Sequence, residues 1–132
     1  MELTPLLFYF GAMVLRQAKC NAQCSKETLR LVDAFRHMLP KMEFNDFRLY
    51  TPTLQNYKQN CSRSTMECFA KEMIVLVSET DEASKLPIRL QKLQQNLSNK
   101  IPPCPKCEVY NETQAEIFLN TLITILQFIC TT

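Results

Sequence analysis

Gly11 is the only glycine in a chain of 132 residues, where the usual share of ~7% would supply about nine. Glycine provides the φ > 0 turns and close backbone approaches on which phosphate-cradling loops and sharp catalytic bends depend. With one glycine, no P-loop, dinucleotide-binding fingerprint or nucleophile elbow can be written. Connections must instead be turned by proline, asparagine and serine. The length suits one domain that buries roughly two thirds of the surface its unfolded chain exposes.

Gly11 itself lies in Leu6 to Leu15, LLFYFGAMVL, an apolar run of about half the ~20 residues that a membrane span needs. That length fits the hydrophobic stretch of a secretory signal peptide. Cys20 and Ala22 stand at minus three and minus one of a cleavage site before Gln23, with cleavage after Ala18 as the alternative. Glu2 departs from the basic start such leaders carry, and a buried N-terminal helix of a cytosolic protein is the competing reading. With residues 1–22 as the signal peptide, the mature domain is 23–132. It has no glycine and keeps six of the seven cysteines, an even number that reads as a disulfide framework in a secreted chain. No later apolar run reaches the ~18 residues of a span, so the expected product is extracellular and not inserted in a membrane. Of three glycosylation sequons, those at Asn96 and Asn111 are the candidates. Asn60 is the weakest, because its middle residue is Cys61.

Fifteen basic and thirteen acidic residues are interspersed along the chain, too weak a field to imply nucleic acid.

The mature chain alternates helical periodicity with proline-marked connections and shows no pair of alternating strand patterns around a tight turn, so an all-α fold is expected. The first segment runs from Ser25, a candidate N-cap, to Leu39 before Pro40, with Leu29, Val32, Phe35, Met38 and Leu39 as its apolar stripe. A long connection to Arg63 holds a short extended stretch, Phe47 to Thr51. The second helix opens on Ser64 and Glu67 as a capping box and repeats Met66, Phe69, Met73, Leu76 and Val77. In the third, Pro87 suits the first turn and Leu86, Leu90, Leu93 and Leu97 face the core, with Arg89, Gln91, Lys92, Gln94 and Gln95 opposite. The fourth starts near Asn111, which with Gln114 forms a plausible capping pair, and runs to about Cys130, apolar almost all round. The long first connection suggests a disulfide-stapled bundle in the up-up-down-down order, with a plain up-down bundle as the alternative.

Six cysteines allow fifteen pairings. Pairing within Cys104-Pro105-Lys106-Cys107 would make a redox motif, which needs a strand and a helix N-terminus beside it. A zinc site from Cys61, Cys68, Cys104 and Cys107 is the next rival, weakened by the leader and by the lack of a second C-x2-C. Two parallel staples, Cys61 with Cys104 and Cys68 with Cys107, account better for the spacing. Cys24 with Cys130 is then left, at the start of the first helix and the end of the last, which an up-up-down-down bundle places together.

No catalytic constellation emerges. The single histidine, His37, reads as a surface residue, the carboxylates are scattered, and no nucleophile stands with a base. An enzyme is not expected, and no cofactor or metal is implied.

The segment from Cys107 to Gln127, CEVYNETQAEIFLNTLITILQ, resembles the last helix of the interleukin-2 family and its approach. Phe47-Arg48-Leu49-Tyr50-Thr51-Pro52 resembles that family's F-K-F-Y-M-P, and Cys68-Phe69 through Glu72 its C-L-E-E-E. The spacing of Cys61 and Cys68 and the run from Phe118 to Thr132 are instead similar to interleukin-15, and interleukin-21 is a more distant third. The short leader is closer to interleukin-2. The resemblance implies a short-chain four-helix cytokine, monomeric before it meets its receptor. Its partners would be receptor β and common γ chains, with an α chain as a possible third, and the result lymphocyte growth through Janus kinases. By position, Asp33 would contact the β chain and Gln127 the γ chain, while Phe47, Arg48, Tyr50 and Glu72 would form an α-chain surface. The competing readings are a solvated helix residue for Asp33 and loop packing for Phe47 and Tyr50. Arg89 and Lys92 depart from the family's asparagine or acid on the third helix. From another class, a saposin-like lipid-binding protein also has six cysteines, but its nested pairs and short connections fit less well.

Overall fold

The computed structural model describes residues 24–39, 48–80, 84–100 and 103–131. The signal peptide expected over residues 1–22, and Phe47, lie outside the described residues. The elements in order are α1 (Lys26–Met38), β1 (Arg48–Tyr50), α2 (Leu54–Lys58), α3 (Ser62–Thr80), α4 (Leu86–Gln95), a 3-10 turn (Cys107–Val109), β2 (Glu112–Gln114) and α5 (Ala115–Thr131).

Four of these helices make the bundle, and their ends give its direction. Cys24 before α1 is bonded to Cys130 near the end of α5, so these two helices run oppositely. The start of α1, at Ser25 and Thr28, lines one groove with Leu93 and Asn96 at the end of α4. At the start of α3, Ser62 Oγ donates to the Ser98 carbonyl just past α4, at 3.3 Å. Thus α4 opposes both α1 and α3, and α5 opposes α1. The order is up-up-down-down, the fold class expected from the long first connection.

Apolar periodicity decides what is inside. Val32 and Phe35 from α1 with Leu39 at its C-cap, Met66, Phe69, Met73 and Leu76 from α3, and Leu86, Leu90 and Leu93 from α4 are all buried. Against them α5 sets Phe118, Leu119, Leu122 and Ile125, each fully enclosed. Phe69 and Phe118 meet at the centre with ring centroids 5.2 Å apart.

Three disulfides staple the bundle: Cys24 to Cys130, Cys61 to Cys104 and Cys68 to Cys107. Because Cys104 and Cys107 bond to different partners, neither a dithiol motif nor a set of four zinc-binding thiolates is left.

The helix starts differ from expectation in two places. Helix α3 begins at Ser62, with the Cys61 carbonyl accepting from Thr65 N at 2.9 Å, so the box expected between Ser64 and Glu67 lies inside the helix. The orphan Ser64 amide is capped from across the bundle: it donates to Asn99 Oδ1 at 3.0 Å, and Asn99 Nδ2 donates back to Ser64 Oγ at 2.8 Å. Removing a side-chain cap of this kind costs about 1–2 kcal/mol. Asn99→Ala is therefore expected to lower the melting temperature by about 4–15 °C, and an unchanged melt would show that this cap contributes nothing.

The second difference is that Asn111 to Gln114 does not cap α5. Residues 112–114 are strand β2, which pairs antiparallel with β1 in the register Arg48↔Gln114, Leu49↔Thr113, Tyr50↔Glu112. Thr51 N extends the ladder to the Asn111 carbonyl at 2.8 Å, and the Thr51 and Thr113 hydroxyls meet at 2.6 Å. Strand alternation turns Leu49 inward, where it is fully buried, and leaves Arg48 exposed. The long connection thus ties itself to the approach of α5.

Helix α2 is a further element that periodicity did not foresee. Thr53 and Asn56 cap it reciprocally. It covers part of the apolar α5: Tyr57 packs edge-on against Phe128, and Lys58 Nζ lies 4.8 Å from that ring's centroid. Among the described residues only Asn60 has positive φ, at 68°. Asparagine is the residue that tolerates this region best after glycine, which the described residues lack.

Candidate functional site

Helix α1 places Asp33 on its exposed side because Val32 and Phe35 take the core-facing positions beside it. One turn on, Arg36 Nη2 donates to Asp33 Oδ1 at 2.5 Å, and Arg36 Nη1 donates to Asn120 Oδ1 of α5 at 2.8 Å. The carboxylate, guanidinium and amide thus form a chain across the seam between α1 and α5. His37 Nδ1 sits 2.8 Å from the Asp33 carbonyl and 3.8 Å from its carboxylate. The side chain of Asp33 is still 45% exposed, so a partner can reach it.

The seam opens into a groove of about 600 Å³. Asp33 and Arg36 line one wall, Asn120, Thr124 and Gln127 the other, and Leu29 and Ile123 form an apolar stripe between them. Gln127 is exposed. Asp33 and Gln127, read from the sequence as contacts for two different chains, therefore share one groove. The acidic residue of α1 that faces α4 is Glu27, which pairs with Arg89 Nη2 at 3.1 Å.

A second surface surrounds the ribbon. Glu72 of α3 accepts a hydrogen bond from Tyr50 N at 2.8 Å, bringing together two of the four residues read as an α-chain surface. Arg48 is exposed on the same strand, and Phe47 lies outside the described residues. Cys68, one turn before Glu72, is tied to Cys107 beside the ribbon.

Burial raises the pKa of Glu72 above its ordinary 4.5, the Tyr50 amide opposes this, and the nearby carboxylates of Glu108 and Glu112 add to the rise. A folded pKa above the unfolded one favours the protonated form in the native state. The stabilisation linked to this group is complete below about pH 4.5 and is lost as pH rises through the folded value. Glu72→Gln keeps an acceptor for Tyr50 N without the charge. It is expected to melt higher than the parent at pH 7 and equally at pH 4, and thermal melts at the two pH values check it. A lower melt at pH 7 would mean that the ionised carboxylate holds the ribbon in a way an amide cannot.

Reading along the chain missed Asn120, Thr124 and the Arg36 relay. Nothing in sequence spacing relates Arg36 to Asn120, which stand 84 residues apart and meet only because α1 opposes α5. Their signal was a break in pattern: Asn120, Thr124 and Gln127 fall at helical spacing on one side of a largely apolar helix.

Among the described residues, no helix is long and apolar enough to cross a membrane. No curated protein and no solved structure matches the chain. The family model of interleukin 15 matches residues 7–131, nearly the whole length, and covers all the bundle helices and all six bridged cysteines. A disulfide-stapled four-helix bundle matched over nearly its whole length by that family is a signalling cytokine of the interleukin-2 and interleukin-15 group: the chain belongs to the interleukin 15 family.

Proposed function

We propose that the chain is secreted after removal of residues 1–22 and assembles a receptor β chain with the common γ chain, driving lymphocyte growth through the Janus kinases those chains carry. The observation that carries this reading is the α1–α5 groove. Its walls hold Asp33 and Gln127, the two residues that resemble the family's β and γ contacts, with an apolar stripe between them. Polar residues around a partly covered apolar centre make the composition of a docking site. Asp33 and Gln127 on one seam support a reading in which the two receptor chains sit side by side, one against α1 and the other against α5.

The ribbon surface of Arg48, Tyr50 and Glu72, with Phe47 before it, is the site for an α chain. Asn96 and Asn111, both exposed, are the glycan positions. The cysteine spacing and C-terminal run favour an interleukin-15-like ligand, whereas the F-R-L-Y-T-P stretch favours an interleukin-2-like one; both use this receptor pair. Purified mature protein added to lymphocytes bearing both chains should cause Janus kinase phosphorylation that a γ-blocking antibody removes. Silence in such cells would refute the reading.

A further inference from the structure

The sequon Asn111-Glu112-Thr113 is drawn by the fold into the ribbon. Glu112 stands opposite Tyr50, Thr113 opposite Leu49, and the Asn111 carbonyl accepts from Thr51 N at 2.8 Å. Opposed residues of an antiparallel pair have Cα atoms about 4.5–5.5 Å apart, so a glycan on Asn111, one residue along from the Tyr50 partner, is rooted within roughly 7 Å of Tyr50. That root is held on both sides. Its carbonyl is in the ladder, and the preceding Tyr110 donates its amide to the Cys107 carbonyl at 3.2 Å and keeps its hydroxyl enclosed. Asn111 is exposed. Strand alternation puts Arg48, Tyr50, Glu112 and Gln114 on one side of the ribbon and Asn111 on the other side, with Leu49 and Thr113. The glycan therefore leaves from the rim of the Arg48 and Tyr50 face and reaches over it in part.

The sequon's hydroxyl also belongs to the fold, since Thr113 Oγ1 meets Thr51 Oγ1 at 2.6 Å. Glycosylation of an N-x-T sequon needs that hydroxyl, so attachment must precede closure of the ribbon. A chain whose ribbon closes first stays bare. In the transfer, the Asn111 amide nitrogen attacks the anomeric carbon of an oligosaccharide carried on a lipid pyrophosphate. An N–C bond forms, the C–O bond breaks with its electron pair leaving on the lipid pyrophosphate, and the amide proton passes to solvent.

We propose that a glycan on Asn111 regulates the ribbon surface: the bare form meets the α chain freely, and the glycosylated form is slowed by steric exclusion at the rim. The inference rests on the reading of Arg48, Tyr50 and Glu72 as the α-chain surface and of Asn111 as a glycan position, and adds the regulation of that surface. The α1–α5 groove serves both forms alike, because none of its lining residues belongs to the ribbon. Asn96 has no such effect, since it lines the groove between α1 and α4.

The test uses protein secreted from glycosylating cells with Ser62→Ala and Ser98→Ala, which remove the other two sequons and keep Asn60 and Asn96 in their turns. A lectin column then separates the form glycosylated at Asn111 from the bare form, and both are expected. The bare form should associate with the α-chain ectodomain about three- to tenfold faster, and the two should associate equally with the β and γ ectodomains. A second variant moves the sequon one residue on, with Asn111→Gln, Glu112→Asn and Gln114→Thr, and sets the glycan on the Tyr50 side. Its glycosylated form should lose α-chain binding, while its own bare form, binding as the parent does, shows that the substitutions leave the fold intact. Secretion of a single form at Asn111, or equal α-chain association of the two, would overturn the inference while the shifted glycan still blocks and the α-chain reading stands. Binding of the α chain that survives the shifted glycan, or no binding by the bare parent, would defeat that reading and the inference together.

Discussion

Cys68→Ser, made together with Cys107→Ser so that no free thiol remains, lowers the melting temperature by about 15–25 °C and removes most of the secreted protein. The staple spans 39 residues, for which the chain-entropy account gives about 4 kcal/mol. A domain of this size has only about 5–15 kcal/mol in total. The local setting adds to the loss. Cys68 is buried, and its bridge to Cys107 holds α3 against the approach to β2, next to the Tyr50 amide that Glu72 binds. Releasing it frees the ribbon from the bundle, and with the ribbon goes Leu49, which is buried in the core. Calorimetry of the paired variant checks the shift; a melt within a few degrees of the parent would show that packing alone holds the ribbon.

Asp33→Lys is expected to raise the concentration needed for half-maximal signalling by about thirtyfold or more, the effect of losing a contact worth about 2 kcal/mol. The lysine would stand beside Arg36 and near Lys26 and Arg30 on the same groove, turning a mixed wall into a wholly basic one. Folding should hardly notice, because the exposed pair with Arg36 contributes little to stability. Gln127→Ala should cost about tenfold, since the exposed amide would lose its receptor hydrogen bonds while alanine suits the helix. Both variants should melt within a few degrees of the parent. Intact signalling in both would mean that the groove is not the docking site, whatever the family.

Much of the bundle could be read in advance because helical periodicity is a local signal. Val32 and Phe35, the Leu86-Leu90-Leu93 stripe and the Ser25 cap each declare themselves within a few residues. The errors share one cause. Ser64-x-x-Glu67 looked like a cap, but the true partner, Asn99, is 35 residues away. Asn111 and Gln114 looked like another, but β1 claims that segment from more than 60 residues upstream. Helix α2 is only five residues long, too short to show a period. The groove was half legible for the same reason. Asp33 and Gln127 stood out by resemblance, while Asn120 acquires a role only through the antiparallel contact of α1 with α5.

Sequential capture tests the central claim most directly. With the β ectodomain immobilised and the mature protein bound to it, the γ ectodomain should add to the complex in equal proportion, and should not add to the β surface alone. Failure of γ to join the β-bound protein, or competition between the two chains for it, would contradict the assignment of this chain as the ligand that holds them together.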